Sequence, residues 1–124
     1  ESVLKKINNS GLTQSVLSAG KQSSLVNWVK YHNIDYLFNK LIGVNNEKAD
    51  GKIEAGINWL QISHLAPENI LLIGDTIHDS EVARLLGIKC LLINIGHVST
   101  ERLRITGEVV LPNLRSLLKY LEIE

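Results

Sequence analysis

Ile70-Leu71-Leu72-Ile73-Gly74-Asp75-Thr76-Ile77-His78-Asp79 is the stretch that decides the fold. Four successive apolar residues with no alternation predict a strand covered on both faces, as in a parallel sheet sandwiched by helices. Gly74 then lets the backbone turn sharply without a Cβ clash. Two carboxylates, Asp75 and Asp79, follow at the strand's C-terminal end, the edge at which open α/β sheets bind ligands. Hard oxygen ligands at one point, with no cysteine cluster and few histidines, suit Mg²⁺ far better than Zn²⁺. The structural alternative makes Asp79 a cap for the following helix and Asp75 a turn residue.

Outward from this stretch the same alternation repeats. Short apolar runs occur at Ser15-Val16-Leu17, Leu41-Ile42-Gly43-Val44, Cys90 to Ile95 and Val109-Val110-Leu111. Between them lie helical stripes: Leu25 and Val29; Ile53, Ile57 and Leu60; Val82, Leu85 and Leu86; Leu114, Leu117, Leu118 and Leu121. Gly87 stands where a helix-ending glycine would, Pro67-Glu68-Asn69 marks a tight turn, and Asn113 after Pro112 is a candidate N-cap. Strands alternating with helices of this length predict an α/β, doubly wound parallel sheet built of right-handed crossovers. No internal repeat, low-complexity tract or linker interrupts residues 1–124, so they read as one domain.

Composition narrows the function classes. The chain has 44% apolar and 21% charged residues and a net charge of zero, which is ordinary for a soluble globular protein. That balance argues against nucleic acid or an acidic membrane surface as a partner, and no apolar run approaches the roughly 20 residues of a membrane helix. The single cysteine, Cys90, lies inside an apolar strand and reads as a buried structural thiol, which fits a reducing, cytoplasmic compartment. The sequence has no Met and begins with Glu1, which predicts a trimmed chain or a piece of a longer one. The histidines at 32, 64, 78 and 97 form no ligand pair, so no transition-metal site is expected. His78 stands next to the acidic loop, and His97 at a strand end is a candidate for the border of a site. Trp28 and Trp59 fall on helices and read as half-buried packing residues.

Two further positions bear on the site. Ser18 follows the Ser15–Leu17 strand in Leu17-Ser18-Ala19-Gly20-Lys21, where a hydroxyl, small residues and a nearby helix start form a phosphate-binding corner. The alternative for Ser18 is a helix N-cap. Lys52 opens the helix bearing Ile53, Ile57 and Leu60. A cation there opposes the helix dipole, so it needs a phosphoryl oxygen or a carboxylate to hold; a solvated lysine is the alternative and Lys48 is a rival.

Read in order, Ser18 at a strand end, the helix-opening Lys52, and Gly74-Asp75-x-x-x-Asp79 resemble the second, third and fourth motifs of the haloacid-dehalogenase (HAD) phosphohydrolases. Ile34-Asp35-Tyr36-Leu37-Phe38 resembles the link before that family's third strand. Glu81-Val82-Ala83-Arg84 through Gly87-Ile88-Lys89-Cys90 is similar to its next helix and strand. Gly96-His97 with Glu101-Arg102-Leu103 is similar to the phosphoglycolate-phosphatase-like branch. The resemblance implies a Mg²⁺-dependent phosphatase of a small phosphorylated metabolite. It implies Asp75 and Asp79 at the metal, Asp79 directly or through water, Ser18 and the Ala19 N–H on the phosphoryl group, and Lys52 neutralising charge there.

One part of the pattern is missing. The family's Asp-x-Asp, which supplies the nucleophile and the acid/base at the end of the first strand, has no counterpart: the only aspartates before Asp75 are Asp35 and Asp50. Residues 1–124 are therefore expected to be a partial core domain, without first strand or cap, inactive alone and completed by an N-terminal segment of the same protein. The absent strand would lie between the Ser15–Leu17 and Ile70–Ile73 strands, which must either pair directly or have the slot filled, with oligomerisation left open. A non-catalytic α/β binding or assembly module is the second reading. A flavodoxin-like or receiver-like domain is the third, weakened because no acidic pair follows an earlier strand.

Overall fold

The computed structural model describes residues 2–44, 51–94 and 100–123. Along the chain run α1 (Ser2–Asn9), β1 (Ser15–Lys21), α2 (Gln22–Tyr31) and β2 (Lys40–Val44). There follow α3 (Gly51–Ser63), β3 (Leu71–Gly74), α4 (Ile77–Leu86) and β4 (Lys89–Ile93), then α5 (Thr100–Arg104), β5 (Val109–Leu111) and α6 (Ser116–Tyr120). Single 3-10 turns at Asp35–Leu37 and Pro67–Asn69 lead into β2 and β3. Among the described residues all strand pairing is parallel. No described helix is long and apolar enough to cross a membrane.

Packing follows from the strand sequences. In β4, Leu91 and Leu92 are fully buried, because β4 has strand neighbours on both sides and helices on both faces. Leu91 packs with Val3 and Ile7 of α1 and Leu117 and Leu118 of α6. Cys90 and Leu92 point the other way, onto Ala83 of α4 and Leu103 of α5. Successive residues serving opposite faces are what a continuously apolar strand requires. At the end of α4, Gly87 adopts φ 72°, the left-handed value a helix-ending glycine supplies. Asn113 Oδ1 accepts the Ser116 N–H and hydroxyl, each at 2.9 Å, ahead of α6.

Three expectations change in detail. Leu85 is 63% exposed; the buried stripe of α4 is Asp79, Val82, Ala83 and Leu86 instead. Leu114 precedes α6 and faces solvent, and Ile57 on α3 is also exposed. The sequence reading assigned no element to the first fourteen residues; they contain α1, whose Val3, Leu4 and Ile7 carry helical spacing.

The strands form two sheets, β1-β2 and β3-β4-β5, and β1 does not pair with β3. Helix α1 packs against both sheets, and α3 links β1 to α4. On one side α1 inserts Val3 and Ile7 beside Leu91, while Leu4 packs on the Val29, Ile34 and Leu37 cluster with Leu41 of β2. On the other side α3 presses Gly56 between β1 and α4. A Cβ at Gly56 would stand 3.3 Å from Leu17 Cδ2 and 3.0 Å from Leu86 Cδ1, so a larger residue there would need those leucine ends to give way.

Candidate functional site

The chain leaves β3 through Gly74 and enters α4 after Asp75 and Thr76. Thr76 is the N-cap, in extended backbone, and its Oγ1 accepts the Asp79 N–H at 3.3 Å. Asp79 reaches back: its Oδ2 accepts the Asp75 N–H at 3.0 Å, the Thr76 N–H at 3.2 Å and the Thr76 hydroxyl at 3.0 Å. This is a capping box with a carboxylate one methylene shorter than the usual Glu, so the loop is drawn tight. Gly74 is required by that tightness, since a Cβ there would meet Asp79 Cγ at 2.5 Å. Its φ is not in the left-handed region, so close approach, not backbone freedom, is the reason for glycine.

The other Asp79 oxygen, Oδ1, takes a hydrogen bond from Lys52 Nζ at 2.6 Å. Lys52 sits in the first turn of α3, where the dipole disfavours a cation; the Asp79 carboxylate supplies the counter-charge. Burial would push the Asp79 carboxyl up, but the Lys52 hydrogen bond and charge, with the Asp75 N–H and the Thr76 hydroxyl, hold it below the usual value. Asp79 is therefore ionised and saturated by the chain's own donors. The capping role weighed from sequence and the lysine partnership are both realised, one on each oxygen. Asp75 differs: among the described residues no hydrogen bond or ion pair engages its carboxylate.

Lys52, Asp75 and Asp79 thus converge at the C-terminal end of β3. Ser18 lies at the C-terminal part of β1, just past Leu17, where the regular pairing with β2 breaks. Its hydroxyl accepts the Gly20 N–H at 3.0 Å, closing a local turn, and no described contact joins it to the other three. Ala19 follows in the same irregular stretch. Lys48 and His97 lie outside the described residues. His78 is exposed, with Nδ1 3.5 Å from Glu81 Oε2. Cys90 is buried, and its thiol is pushed up to about 12, first by burial and then by the Glu108 and Asp79 charges. Among the described residues no three His, Cys, Asp or Glu side chains gather as a ready metal cage.

Two contributors went unread in the sequence. Thr76 was legible as the Thr-x-x-Asp form of a capping box. Gln22, in the first turn of α2, donates to the Leu41 carbonyl at 2.9 Å and accepts the Gly43 N–H, pinning the end of β2. A surface-looking glutamine carries no local signal for such a long-range bond.

The sequence profile of haloacid dehalogenase-like hydrolases matches residues 1–93. No curated protein matches. Among solved structures, a haloacid dehalogenase-like family hydrolase from Streptococcus pneumoniae superposes with TM-score 0.87 at 25% identity, over 97% of this chain and 57% of that one. A predicted phosphatase from Clostridium acetobutylicum gives 0.86 at 16% identity, over 97% and 56%. A candidate phosphoglycolate phosphatase from Lactobacillus delbrueckii subsp. bulgaricus gives 0.77 at 17%, over 94% and 49%. The latter two likenesses are of fold alone. This chain spans 57% or less of these three proteins' lengths.

Proposed function

This chain belongs to the haloacid dehalogenase-like hydrolase family, and from that premise we propose that it is part of the core of a Mg²⁺-dependent phosphatase. Its substrate is a small phosphomonoester, with phosphoglycolate the leading case on resemblance. The observation that carries this reading is the Lys52–Asp79 contact of 2.6 Å beside the unengaged Asp75 carboxylate. An ammonium has three N–H donors, so with one on Asp79, Lys52 keeps two for phosphoryl oxygens. Phosphoryl transfer is mostly positioning and charge stabilisation, and a lysine already oriented by a second residue meets that need.

The donor set fits Mg²⁺. That ion keeps several waters and is commonly held by one or two carboxylates, and Asp75 offers one here. Asp79, already engaged by Lys52 and the loop, would support the ion by holding the Asp75 backbone in place. When bound, the ion draws negative charge off the phosphoryl oxygens. Ser18 and the Ala19 N–H bind the phosphoryl group from β1.

Residues 1–124 contain no Asp-x-Asp, and charge stabilisation without a nucleophile opens no route to a phospho-enzyme. The chain alone is accordingly inactive, and a longer parent supplies the nucleophile. The test compares both proteins on p-nitrophenyl phosphate and phosphoglycolate, with Mg²⁺ and with EDTA. The parent should be Mg²⁺-dependent and lose at least a hundredfold of its rate with Asp75→Asn or Lys52→Ala. A parent inactive on every phosphomonoester tried would favour the second reading, a non-catalytic α/β binding or assembly module, which the missing Asp-x-Asp supports.

A further inference from the structure

Gln14 and Asn39 stand immediately before β1 and β2, at the edge of that sheet opposite to Ser18. Between them, the end of α1 and the Asp35–Leu37 turn lies a cavity of about 270 Å³. Asn8, Thr13, Gln14 and Asn39 line it with amides and a hydroxyl, Tyr36 and Phe38 with aromatic rings. Among the described residues that line it, none is charged. The walls are anchored. Leu37 is buried with Val29 and Ile34, and the Asn39 N–H donates to the Gln14 backbone carbonyl across the two strand entries.

Gln14 separates this cavity from a surface dent. Its Nε2 donates to the Leu4 carbonyl at 2.9 Å and the Leu37 carbonyl at 3.4 Å, tying α1 to the turn. Two carbonyl acceptors on one side fix which end of the amide carries the nitrogen. Its Oε1 is then a held acceptor, and among the described residues nothing donates to it. The side chains of Asn8, Thr13 and Asn39 likewise have no hydrogen-bond partner among the described residues. Structural amides are used up by the chain, as those of Gln22 and Asn113 are. Four uncommitted polar side chains around one cavity leave donors and acceptors for something else.

We infer that this cavity binds a small, uncharged, flat heterocycle of the nucleobase class. Its volume falls just below the roughly 300–1,000 Å³ of ordinary ligand pockets, which limits the occupant to one ring or two fused rings. Asn and Gln amides each offer a donor and an acceptor side by side, the pattern that pairs with the edge of a base. Tyr36 and Phe38 supply aromatic faces on which such a ring stacks. No lining cation neutralises a carboxylate or phosphate, so the neutral ring fits and its anionic derivatives do not. The cavity and the Lys52–Asp79 pair lie at opposite strand ends, and the inference does not rest on the proposed phosphatase activity.

Titration of the nitrogen-15-labelled full chain with adenine and with uracil, followed by NMR, tests it. At least one base should bind saturably at about 1 mM or tighter, with backbone shifts confined to Asn8, Thr13, Gln14 and Tyr36 to Asn39. Orotate, which is uracil carrying a carboxylate, should bind about tenfold more weakly than uracil. Mg²⁺ and inorganic phosphate should leave base binding unchanged. Gln14→Leu removes the held acceptor but also the ties to Leu4 and Leu37, so two exposed positions carry the mutational test. Tyr36→Ala and Asn8→Ala should keep the circular dichroism of the chain and each weaken base binding about fivefold or more. Neither base binding, or both variants binding as wild type does, would overturn the site. Shifts centred on Ser18, Lys52 and Asp75, or displacement by phosphate, would overturn it in favour of the opposite strand ends. Binding of methyl glucoside where both bases fail would overturn the flat heterocycle. A parent without phosphatase activity that still binds the base here would leave this site standing and remove the proposed function.

Discussion

Lys52 Nζ lies 2.6 Å from Asp79 Oδ1, which ties the first turn of α3 to the loop between β3 and α4. Both side chains are largely shielded, at 15% and 8% exposed, so the pair is more than a solvent-screened surface contact. Removing the Asp79 charge leaves a shielded ammonium without a counter-ion, a loss of about 3 kcal/mol for a buried pair.

That loss has a defined pH dependence. The Asp79 carboxyl is held below its ordinary 3.8 in the folded chain. Its contribution is then fully present above that value and disappears as pH falls through the lower folded value. Urea unfolding in EDTA should show Asp79→Asn weaker than wild type at pH 7, with the two curves converging below pH 3.8. A stability difference unchanged between neutral and acid pH would show that the charge pair does not hold the loop.

Gly74 and Asp79 compete for one volume. With a Cβ on residue 74 only 2.5 Å from Asp79 Cγ, Gly74→Ala forces the carboxylate out of its cradle. Overpacking of this kind costs about 1–3 kcal/mol, and the displaced carboxylate releases Lys52. Because the same Cβ would also stand 2.3 Å from the Asp79 Cβ, Gly74→Ala and Asp79→Gly should be non-additive, the second change relieving most of the first. A double-mutant cycle by denaturant unfolding that returned simple additivity would place the strain elsewhere.

Thr76 serves α4 through its hydroxyl, which both accepts the Asp79 N–H and donates to Asp79 Oδ2. Thr76→Ser should keep both bonds and nearly full stability. Thr76→Val keeps the shape but not the cap, and should lose about 1 kcal/mol. Equal stability of the Ser and Val variants would mean the backbone N–H groups alone fix the loop.

Much of this was legible in sequence for a specific reason. From Cys90 to Ile93 the β4 run is apolar without a break because both faces are covered, and the Gly-Asp-x-x-x-Asp spacing puts a second carboxylate within reach of the strand-end backbone. Lys52 stood out because it opposes a dipole, and the partner it requires turned out to be Asp79. The details that escaped depend on tertiary neighbours. Leu85 fits its stripe by period but is exposed, α3 carries apolar residues beyond the Ile53, Ile57 and Leu60 stripe so its inner face is hard to read, and Gln22 is defined only by where β2 ends. The β3 run looks like β4 in sequence, yet Ile73 is part exposed because β3, unlike β4, is paired along one edge only among the described residues.

Cys90 offers a probe of the whole core. It packs with Ala83, Leu92 and Leu103, and its thiol is pushed from an ordinary 9.0 up to about 12, by burial foremost. The thiolate is the reactive form, so the native chain should resist dithionitrobenzoate at pH 8 and react stoichiometrically once unfolded in urea. The same shift destabilises the folded chain in alkali. Between 9.0 and about 12 the unfolded thiol gives up its proton and the folded one keeps it, so stability falls as pH rises through that window. Cys90→Ala should flatten this slope whatever it does to stability at pH 7. Fast labelling of the native chain, at a rate insensitive to urea, would show instead that β4 is open to solvent.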